Sequence, residues 1–531
     1  MGCVYTQGNP VQLDVNTTAN NDNSTIASDP TQQYTTASSG NDFLVAYADP
    51  RTGDSEIFLN YSADAGATWL TSDRKVVGAG NANFDVEPNL FMRDGRAYLT
   101  WSKFDRNSSD GSRRVRRIYV APGNSPYAVA NFTVPQPGNN LNIDANTDVF
   151  ASLDATIDCY NPQGVIVRRD TNATGTSDVI AVVWSEISGT AVAPKRNIYL
   201  RYSTDGGTTW LPNGSTLATK RIQINASGPG FGELPVVASD GAGMVYVAWR
   251  DRRQISGNSR QMVRFARVDL TDPVNSPPTA VLNEVTLQPT NNATANAEQI
   301  VIAAAGSNVN VAWVDLRQNA ANVNIKTIRV ATSSNKGATW KQVGGQNDGE
   351  IVDPDGQFAD ASSPALAARG NDIAVAWEDT RSGRSDIYVN VSADGGVTWQ
   401  TTTARADQGD GLGSTFSYTP AIAWGPTGTS TVFVAWQDLR FSGTSILNNV
   451  SIDGGKTFVA RTAAGADEGL PARMDLYSGN TGNAATSQVP SIITTTSGTS
   501  QASVVWVDFR TGAGTDGSNG DIYARRLAPT P

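Results

Sequence analysis

The sequence predicts an all-β protein built from repeats of one four-stranded unit, and three observations lead to this prediction. The chain has 531 residues, among them 50 Gly and 25 Pro, and only 17% of the residues are charged. Few Lys, Glu and Leu residues beside many Gly, Thr, Asn and Val residues disfavour helices and favour strands joined by turns. A two-part phrase recurs along the chain with a period of about 65 residues. Its strand-like segments alternate with turn signals, which is typical of repeated sheets.

The first part of the phrase is a β-rich segment that ends in an aromatic residue, usually as Val-Ala-Trp, and is followed by Asp-x-Arg. This strand-end aromatic residue occurs eight times: Tyr47, Trp101, Trp184, Trp249, Trp313, Trp377, Trp436 and Trp506. All of the 12 tryptophans except Trp424 lie at this position or at the end of the second part of the phrase. We therefore interpret tryptophan as an element of the fold rather than as a ligand platform.

Each unit contains four short strand segments separated by Gly, Asn and Asp turns. In the sixth unit these segments are Pro364–Ala367, Ile373–Trp377, Ile387–Val391 and the residues that follow Val397. One such unit cannot bury both faces of its sheet by itself, and units of this kind stack around an axis as the blades of a β-propeller.

The two ends of the chain complement each other in this arrangement. The last unit has only three strand segments, and residues 11–15 supply a further one. We predict a single eight-bladed β-propeller of four-stranded antiparallel blades, closed by this N-terminal strand; the alternative has seven blades, with the irregular third unit as an insertion. The expected blades are residues 30–80, 81–140, 141–225, 226–290, 291–352, 353–410, 411–480 and 481–531 plus strand 11–15.

Composition also excludes several classes of function. Histidine is absent, so mechanisms that need an imidazole are excluded. A formal charge of −10 makes nucleic acid an unsuitable partner, because phosphate binding needs a basic face. No apolar run is long enough for a transmembrane segment. Of the 40 basic residues 32 are Arg, the side chain suited to binding planar anions.

Cys3 and Cys159 are the only cysteines. They form one disulfide or remain two free thiols, and the sequence leaves both open. Residues 1–6 fit an N-myristoylation signal with a palmitoylatable Cys3, which would anchor the chain to a surface; the alternative is the trimmed end of an exported protein. We expect a secreted or cell-surface protein.

The second part of the phrase is Ser-x-Asp-x-Gly-x-Thr-Trp. It occurs five times with small variations, centred on Asp64, Asp205, Asn335, Asp394 and Asp453. Its Ser and Asp side chains are suited to bonding local backbone amides, while Gly takes a left-handed conformation. With these motifs the chain resembles the Asp-box (BNR-repeat) β-propellers, above all the sialidases. The resemblance implies that the boxes lie between the third and fourth strands, away from the active face, and serve folding.

The sialidase resemblance also implies a catalytic set of three arginines, an Asp acid/base and a Tyr nucleophile paired with Glu. The first arginine of that set stands in an Arg-Ile-Pro phrase, which this sequence lacks. The resemblance therefore assigns no catalytic residue here. If the protein is an enzyme, we expect an exo-sialidase-like glycosidase.

The candidate ligand-binding residues lie at the other end of the strands, around the mouth of the predicted channel. The Asp-x-Arg phrase and its variants contribute Arg51, Arg106, Glu186, Arg253, Arg317, Arg381, Arg440 and Arg510. Polar residues at the starts of first strands add Tyr34, Glu87, Glu233, Glu298 and Tyr418. Two interpretations remain open: the arginines brace neighbouring blades, or some of them bind a carboxylate or sulfate. The degenerate second and third units are the predicted place for a site.

Acidic loops with Gly offer weak Ca²⁺ candidates at Asp353, Asp355 and Asp360, although a solvated acidic loop explains them as well. We otherwise expect no cofactor. The function predicted from the sequence is binding of a glycan or another anionic surface polymer without catalysis. The alternatives are a retaining sialidase-like glycoside hydrolase and a structural component of an extracellular assembly.

Overall fold

The computed structural model shows that the protein consists of strands and turns. It describes residues 5–7, 11–12, 34–49, 55–76, 84–93, 95–106, 114–124, 157–168, 178–190, 193–214, 219–225, 231–252, 254–255, 258–278, 281–289, 296–317, 325–354, 359–441, 443–458, 472–475, 487–496, 501–508 and 521–529. Within these ranges there is no α-helix, so the all-β prediction is confirmed for them. The same ranges contain no helix that is long and apolar enough to cross a membrane.

The described residues form eight main antiparallel sheets, which follow one another along the chain. Sheet 1 consists of Tyr34–Ser39, Asp42–Asp49, Glu56–Ser62 and Arg74–Lys75. Sheet 2 consists of Phe84–Arg93, Arg96–Arg106 and Arg114–Asn124. Sheet 3 consists of Asp158–Arg168, Val179–Thr190, Ala193–Ser203 and Ile222–Gln223. Sheet 4 consists of Gly232–Ser239, Met244–Asp251, Met262–Asp269 and Leu282–Thr286.

The second half of the chain repeats the same strand order. Sheet 5 consists of Ala297–Ala305, Asn308–Asp315, Thr327–Ser333 and Glu350–Ile351. Sheet 6 consists of Ala361–Arg369, Asp372–Asp379, Asp386–Ser392 and Ala404–Arg405. Sheet 7 consists of Ser417–Trp424, Val432–Asp438, Ser445–Ser451 and Ala472–Arg473. Sheet 8 consists of Ser487–Thr494, Ala502–Asp508, Asp521–Pro529, Tyr5–Gln7 and Val11–Gln12.

Two details of this order bear on the sequence predictions. The irregular third unit forms a four-stranded sheet of its own rather than an insertion into a neighbour. Both short N-terminal strands pair with the last strand of the chain, Val11 opposite Ala524 and Tyr5 opposite Pro529. Two small hairpins complete the described strands: Gln254–Ile255 with Asn258–Ser259, and Gln342–Val343 with Gln346–Asn347.

The hydrophobic core is divided into eight clusters, and each lies between two consecutive sheets. Sheets 3 and 4, for example, bury Val183 and Leu200 against Val247 and Trp249. The same kind of cluster joins the last sheet to the first. The strand-end tryptophans are buried within these clusters, as expected for an element of the fold.

Most of the strand-end indoles also have a polar partner. Five of the strand-end tryptophans donate their Nε1–H to the Asp two residues later, over 2.9–3.3 Å. That Asp is the first residue of the Asp-x-Arg phrase. One role of the repeated carboxylate is therefore to accept a hydrogen bond that a buried indole would otherwise lack.

We call the end of each sheet where the first strand begins and the second strand ends the front end, and the opposite end the back end. In sheet 6, Ala361 pairs with Asp379 at the front end. Consecutive sheets have the same orientation, because hydrogen bonds join equivalent positions near their front ends. The Asn161 amide of sheet 3 donates to Glu87 of sheet 2 over 2.7 Å.

Seven of the eight first strands contain a β-bulge near the front end. In each, a residue other than Gly has a φ between 43° and 56°, and Pro follows it in all but sheet 5. Bulges of this kind re-aim a side chain and often lie beside functional sites. The bulged residues are Glu87, Asn161, Leu234, Gln299, Ser363, Thr419 and Val489.

The five Ser-x-Asp-x-Gly-x-Thr phrases all form the same turn at the back end. In the sixth sheet Ser392 donates to Asp394, Gly396 N–H donates to Ser392 Oγ, and the Thr398 amide donates to Asp394, over 2.7–2.9 Å. Asn335 accepts from the Thr339 amide in the same way, over 2.9 Å. These side chains are engaged within their own turns, so the boxes stabilise local structure.

Candidate functional site

In sheets 5 to 7 the Asp-x-Arg arginines are engaged with protein oxygens. Arg317 Nε donates to Asp315 over 2.7 Å, and its Nη1 donates to Asp348 of the same sheet, also over 2.7 Å. Burial would raise the pKa of Asp315, but the bonds and charge of Arg317 outweigh it and hold that pKa below its usual range. The carboxylate is therefore kept ionised where it accepts from the buried indole.

The two following arginines reach the preceding sheet. Arg381 pairs with its own Asp379 over 2.7 Å and with Asp353, which follows the fourth strand of sheet 5. Arg440 pairs with Asp438 over 2.7 Å and donates to the Gln408 carbonyl, beyond the fourth strand of sheet 6, over 3.0 Å. These contacts are the inter-sheet brace that the sequence offered as one interpretation.

The remaining members of the predicted set separate into two groups. Arg51, Arg253, Arg510, the side chain of Arg106, Asp355 and Cys3 lie outside the described residues. Glu186 lies in the interior of sheet 3, where it accepts from Arg221 Nη2 over 2.9 Å. The Sγ atom of the buried Cys159 lies 3.9 Å from the same carboxylate.

The two tyrosines that the sequence predicted to line the channel also differ from each other. Tyr34 is buried and donates to the Val489 and Val505 carbonyls of sheet 8, so it joins the first and last sheets. Burial raises the pKa of this phenol. Tyr418 is half-buried in sheet 7, where its ring stacks on Phe416. Glu298, another predicted lining residue, lies on the first strand of sheet 5 opposite Val314.

Three arginines converge on Glu233 at the front end between sheets 3 and 4. Arg196 Nη1 lies 2.6 Å from one oxygen of the carboxylate, and Arg250 and Arg252 lie 2.7 and 2.6 Å from the other. The Glu233 side chain is 5% exposed, whereas that of Arg252 is 42% exposed. We call Glu233 and these residues the three-arginine site. Its three positive charges face one negative charge, so the site carries excess positive charge.

Local structure explains this convergence. Glu233 directly precedes the bulged residue Leu234 and lies opposite Arg250 in the neighbouring strand. Arg252 follows the same strand as Arg250, and Arg196 comes from the third strand of sheet 3. The strand of Arg196 reaches sheet 4 through a bridge between Arg196 and Phe231.

A second charged group adjoins the first between sheets 2 and 3. Arg116 donates to Asp158 Oδ2 over 2.7 Å and to Glu87, the bulged residue, over 3.1 Å. Its guanidinium lies 4.8 Å from the ring centroid of Tyr160. Burial raises the pKa of Tyr160, and the charges of Arg196 and Glu233 act on the same phenol. Tyr160 therefore lies between the two charged groups.

Glu233 and Glu87 were predicted from the sequence, but their partners were not: Arg116, Asp158, Tyr160, Arg196, Arg250 and Arg252. Arg116, Asp158, Tyr160 and Arg196 lie in the degenerate second and third units, where the repeat predicts no site position, whereas Arg250 and Arg252 lie in the fourth unit. One signal was present: Arg250, Arg252 and Arg253 surround Asp251 in a single run, which no other unit has.

Of the three calcium candidates, the structure describes Asp353 and Asp360. Asp353 is buried against Arg381, while Asp360 accepts from the Lys326 amide over 3.0 Å. Among the residues that the structure describes, no group of three or more acidic or cysteine side chains is placed to hold a metal ion.

Two buried carboxyls near the front end have unusual titration. Burial, together with the neighbouring Asp379 carboxyl, raises the pKa of Asp353 to about 7. Burial likewise raises the pKa of Asp407 to about 7, against the charge of Arg405. Ser417 Oγ joins Asp407 to Asp438 of the next sheet, over 2.8 and 3.1 Å.

At the junction before sheet 5, the position of these carboxyls is taken by Gln288. Its Nε2 donates to Asp315 over 3.0 Å. The Gln288 amide thus donates a proton of its own to Asp315, whereas a pair of carboxyls, such as Asp353 and Asp379, has to take up this proton from solvent.

Comparison with known proteins gives matches at the level of structure. The sequence matches no family model and no curated protein. A polysaccharide lyase of family PL25, an ulvan lyase, matches with 11% identity and a TM-score of 0.42, over 83% of this chain and 91% of that chain. An α-L-arabinanase from Penicillium chrysogenum matches with 11% identity and a TM-score of 0.36, over 98% of both chains. The α-L-arabinofuranosidase Arb93A from Fusarium graminearum matches with 11% identity and a TM-score of 0.37, again over 98% of both. At this level of likeness, we draw nothing about function from them.

Proposed function

We propose that the chain is one eight-bladed β-propeller of the Asp-box type, with the blade boundaries predicted from the sequence. Two observations support this. Every pair of consecutive sheets shares a hydrophobic cluster, and sheets 8 and 1 share one as well. The N-terminal strands pair with the last strand, as closure of a ring requires.

We propose further that the protein binds an acidic glycan or a similar anionic polymer, outside the cell or at its surface, without turning it over. The observation that carries this proposal is the convergence of three guanidinium groups on the single carboxylate of Glu233. A guanidinium has five N–H donors in a planar fork, and Glu233 occupies only a few of the fifteen or so present. The remaining donors of the exposed Arg252 are suited to a ligand carboxylate or sulfate.

The geometry favours binding over catalysis. A tyrosine nucleophile needs a base within hydrogen-bond reach. Tyr34 donates to backbone carbonyls instead, and in the part of the chain that the structure describes no carboxylate accepts from the Tyr160 or Tyr418 hydroxyl. Glu233 is held by three guanidinium groups, which occupy the oxygens that proton transfer would use.

The proposal is tested by isothermal titration calorimetry with uronate-rich, sulfated, sialylated and neutral polysaccharides. We expect the wild type to bind one or more acidic polymers, and Arg252→Ala to weaken this binding at least about tenfold, since a charge-assisted hydrogen bond contributes about 1.5–3 kcal/mol. Arg168→Ala is the matched control, because Arg168 is an exposed arginine at the back end of sheet 3.

Two results would contradict the proposal. Equal affinity of wild type and Arg252→Ala for every acidic polymer would exclude the three-arginine site. Turnover of fluorogenic sialosides that is lost in Arg252→Ala would favour the glycosidase alternative instead.

A further inference from the structure

We propose that the front end of sheet 7 carries a second subsite, which binds a sugar ring bearing an acidic group. This inference rests on the proposed function, since it adds a second contact for the same polymer. The subsite consists of Phe416, Tyr418, Leu439, Phe441 and Arg384, which we call the sheet 7 platform.

The platform differs from the equivalent place in sheet 6. The Leu439 amide donates to the Phe416 carbonyl over 3.0 Å, and in sheet 6 the Thr380 amide donates to the Asp360 carbonyl over the same distance. This shared bond makes the two pairs equivalent. The polar pair Asp360 and Thr380 of sheet 6 is therefore replaced by an aromatic and an aliphatic residue in sheet 7.

A third position follows the same rule. Phe441 comes directly after Arg440, and its equivalent in sheet 6 is Ser382, directly after Arg381. Sheet 6 shows that the fold does not need apolar side chains here.

Sheet 4 has Phe231 at the position of Phe416, and sheet 5 has Leu316 at the position of Leu439. Sheet 7 is therefore distinguished by combining both with Phe441. Three exposed apolar side chains at adjacent positions where the fold does not need them indicate a functional role.

These apolar side chains face solvent. Phe416, Leu439 and Phe441 are 38%, 39% and 41% exposed. The rings of Phe416 and Tyr418 are nearly parallel, 10° apart, with centroids separated by 5.8 Å. Exposed aromatic rings grouped in this way mark binding surfaces.

The guanidinium of the platform has no acidic partner among the residues that the structure describes. Arg384 is exposed, lies 5.1 Å from the Phe416 ring centroid and donates to the Ser414 carbonyl over 2.8 Å. No carboxylate of the described chain lies within 4.0 Å of it. Arg473, which lies 4.7 Å from the Phe441 ring centroid, differs because its Nε pairs with Asp475 over 2.7 Å. Arg384 is thus the cation open to a ligand.

A sugar ring with a carboxylate or sulfate fits this combination. The C–H face of a pyranose is apolar and covers an aromatic ring, whereas its acidic group pairs with a guanidinium. A stable protein partner would need roughly 800 Å² on each side, which five partly exposed side chains do not provide. The platform and the three-arginine site lie at the same end of their sheets, so one polymer chain can contact both.

The experiment uses the residues of sheet 6 as the replacement. The triple variant Phe416→Asp, Leu439→Thr, Phe441→Ser gives sheet 7 the side chains that sheet 6 already carries. Ile452→Ala is the matched control, because Ile452 is an exposed apolar residue at the back end of the same sheet. Affinity is measured by calorimetry with the acidic polymer that the wild type binds, and the midpoint of urea unfolding checks the fold.

We expect the triple variant to lose about tenfold in affinity, and the control to bind as the wild type does. Arg384→Gln should weaken binding of the acidic polymer more than binding of a neutral one. If the triple variant binds normally while Arg252→Ala does not, the platform is excluded and the proposed function stands. If the wild type binds no acidic polymer, both proposals fail. An unchanged preference in Arg384→Gln would contradict the acidic nature of the bound sugar.

Discussion

Sheets 5 to 7 and sheets 2 to 4 use arginine at the front end in opposite ways. In sheets 5 to 7, Arg317, Arg381 and Arg440 each pair with their own buried aspartate and with oxygens of the fourth-strand segments. In sheets 2 to 4, guanidinium groups from two sheets gather on one carboxylate, Glu233, and leave positive charge facing solvent. The regular half therefore uses its charges for structure, and the irregular part concentrates them where a ligand can reach.

The largest expected effect concerns the regular half. Asp315→Ala would leave the buried Trp313 Nε1–H without its acceptor and Arg317 without its nearest charge. Removing one partner of a buried pair costs about 3–5 kcal/mol, and we expect a loss of this size in the free energy of unfolding from urea titration. Asp315→Asn retains an acceptor and should lose less. A loss below about 1 kcal/mol for Asp315→Ala would show that the brace is dispensable.

Glu233→Gln tests the irregular part. The three arginines would lose their shared counter-charge, and we expect the free energy of unfolding to fall by about 2 kcal/mol at low salt, within the range for hydrogen bonds to charged groups. Sulfate should restore stability, because an anion can replace the carboxylate. Adding Arg252→Ala to Glu233→Gln should restore part of the lost free energy of unfolding. A variant as stable as the wild type and indifferent to sulfate would contradict the excess charge that distinguishes this part.

The buried carboxyls of the regular half predict a smaller, pH-dependent effect. The pKa of Asp353 is about 7 in the folded state and near 4 in the unfolded state, so the folded state binds the proton more tightly. Stability from this group is complete below about pH 4 and is lost as the pH rises to about 7. We expect Asp353→Asn to be more stable than the wild type at pH 8, by about 1 kcal/mol or more.

The reciprocal variant is Gln288→Glu, which places a carboxyl beside Asp315. Its unfolding midpoint in urea should become lower above pH 7 than below pH 5. If neither Asp353→Asn nor Gln288→Glu changes the pH dependence of unfolding, the Asp353 carboxyl does not share a proton with the neighbouring Asp379 carboxyl.

The smallest effect is expected at the back end, where all five turns are alike. Burial would raise the pKa of Asp394, but hydrogen bonds from Thr398 and Ser392 outweigh it and hold that pKa below its usual range. The stability from this carboxylate is present above the unfolded pKa and is lost as the pH falls through the folded one. Asn335 forms the corresponding bonds without charge. Asp394→Asn should therefore lower the free energy of unfolding by at most about 0.5 kcal/mol at pH 7, and the loss of stability at acidic pH should become smaller. A cost above about 2 kcal/mol would show that charge, not hydrogen bonding, maintains the turn.

The regular half could be predicted closely from the sequence. The strands expected at Pro364–Ala367, Ile373–Trp377 and Ile387–Val391 lie inside the observed strands of sheet 6. The pairing of the N-terminal strand with the last sheet was also predicted, and it is present at Val11–Gln12. Repetition made this feasible, because each copy of the phrase corrected the interpretation of the others.

The three-arginine site could be placed only coarsely. The degenerate second and third units were named as the place to search, but of this site only Arg196 lies there. Glu233, in the fourth unit, was among the candidates, and its partners were not. Arg196 comes from a different sheet, and its distance from Glu233 depends on how two sheets pack. Tyr34 shows the same difficulty, because its partners Val489 and Val505 lie at the other end of the chain. A contact between units has no fixed spacing along the sequence.

The pairing of Tyr5 with Pro529 has a mechanical consequence. The two strands are antiparallel, and their outer ends lie side by side. A force that pulls the two ends of the chain apart would act on this pair of strands first. It would break the hydrogen bonds between them one after another. Peeling of this kind requires far less force than sliding the strands past each other, so under tension the protein would open where its first and last strands meet.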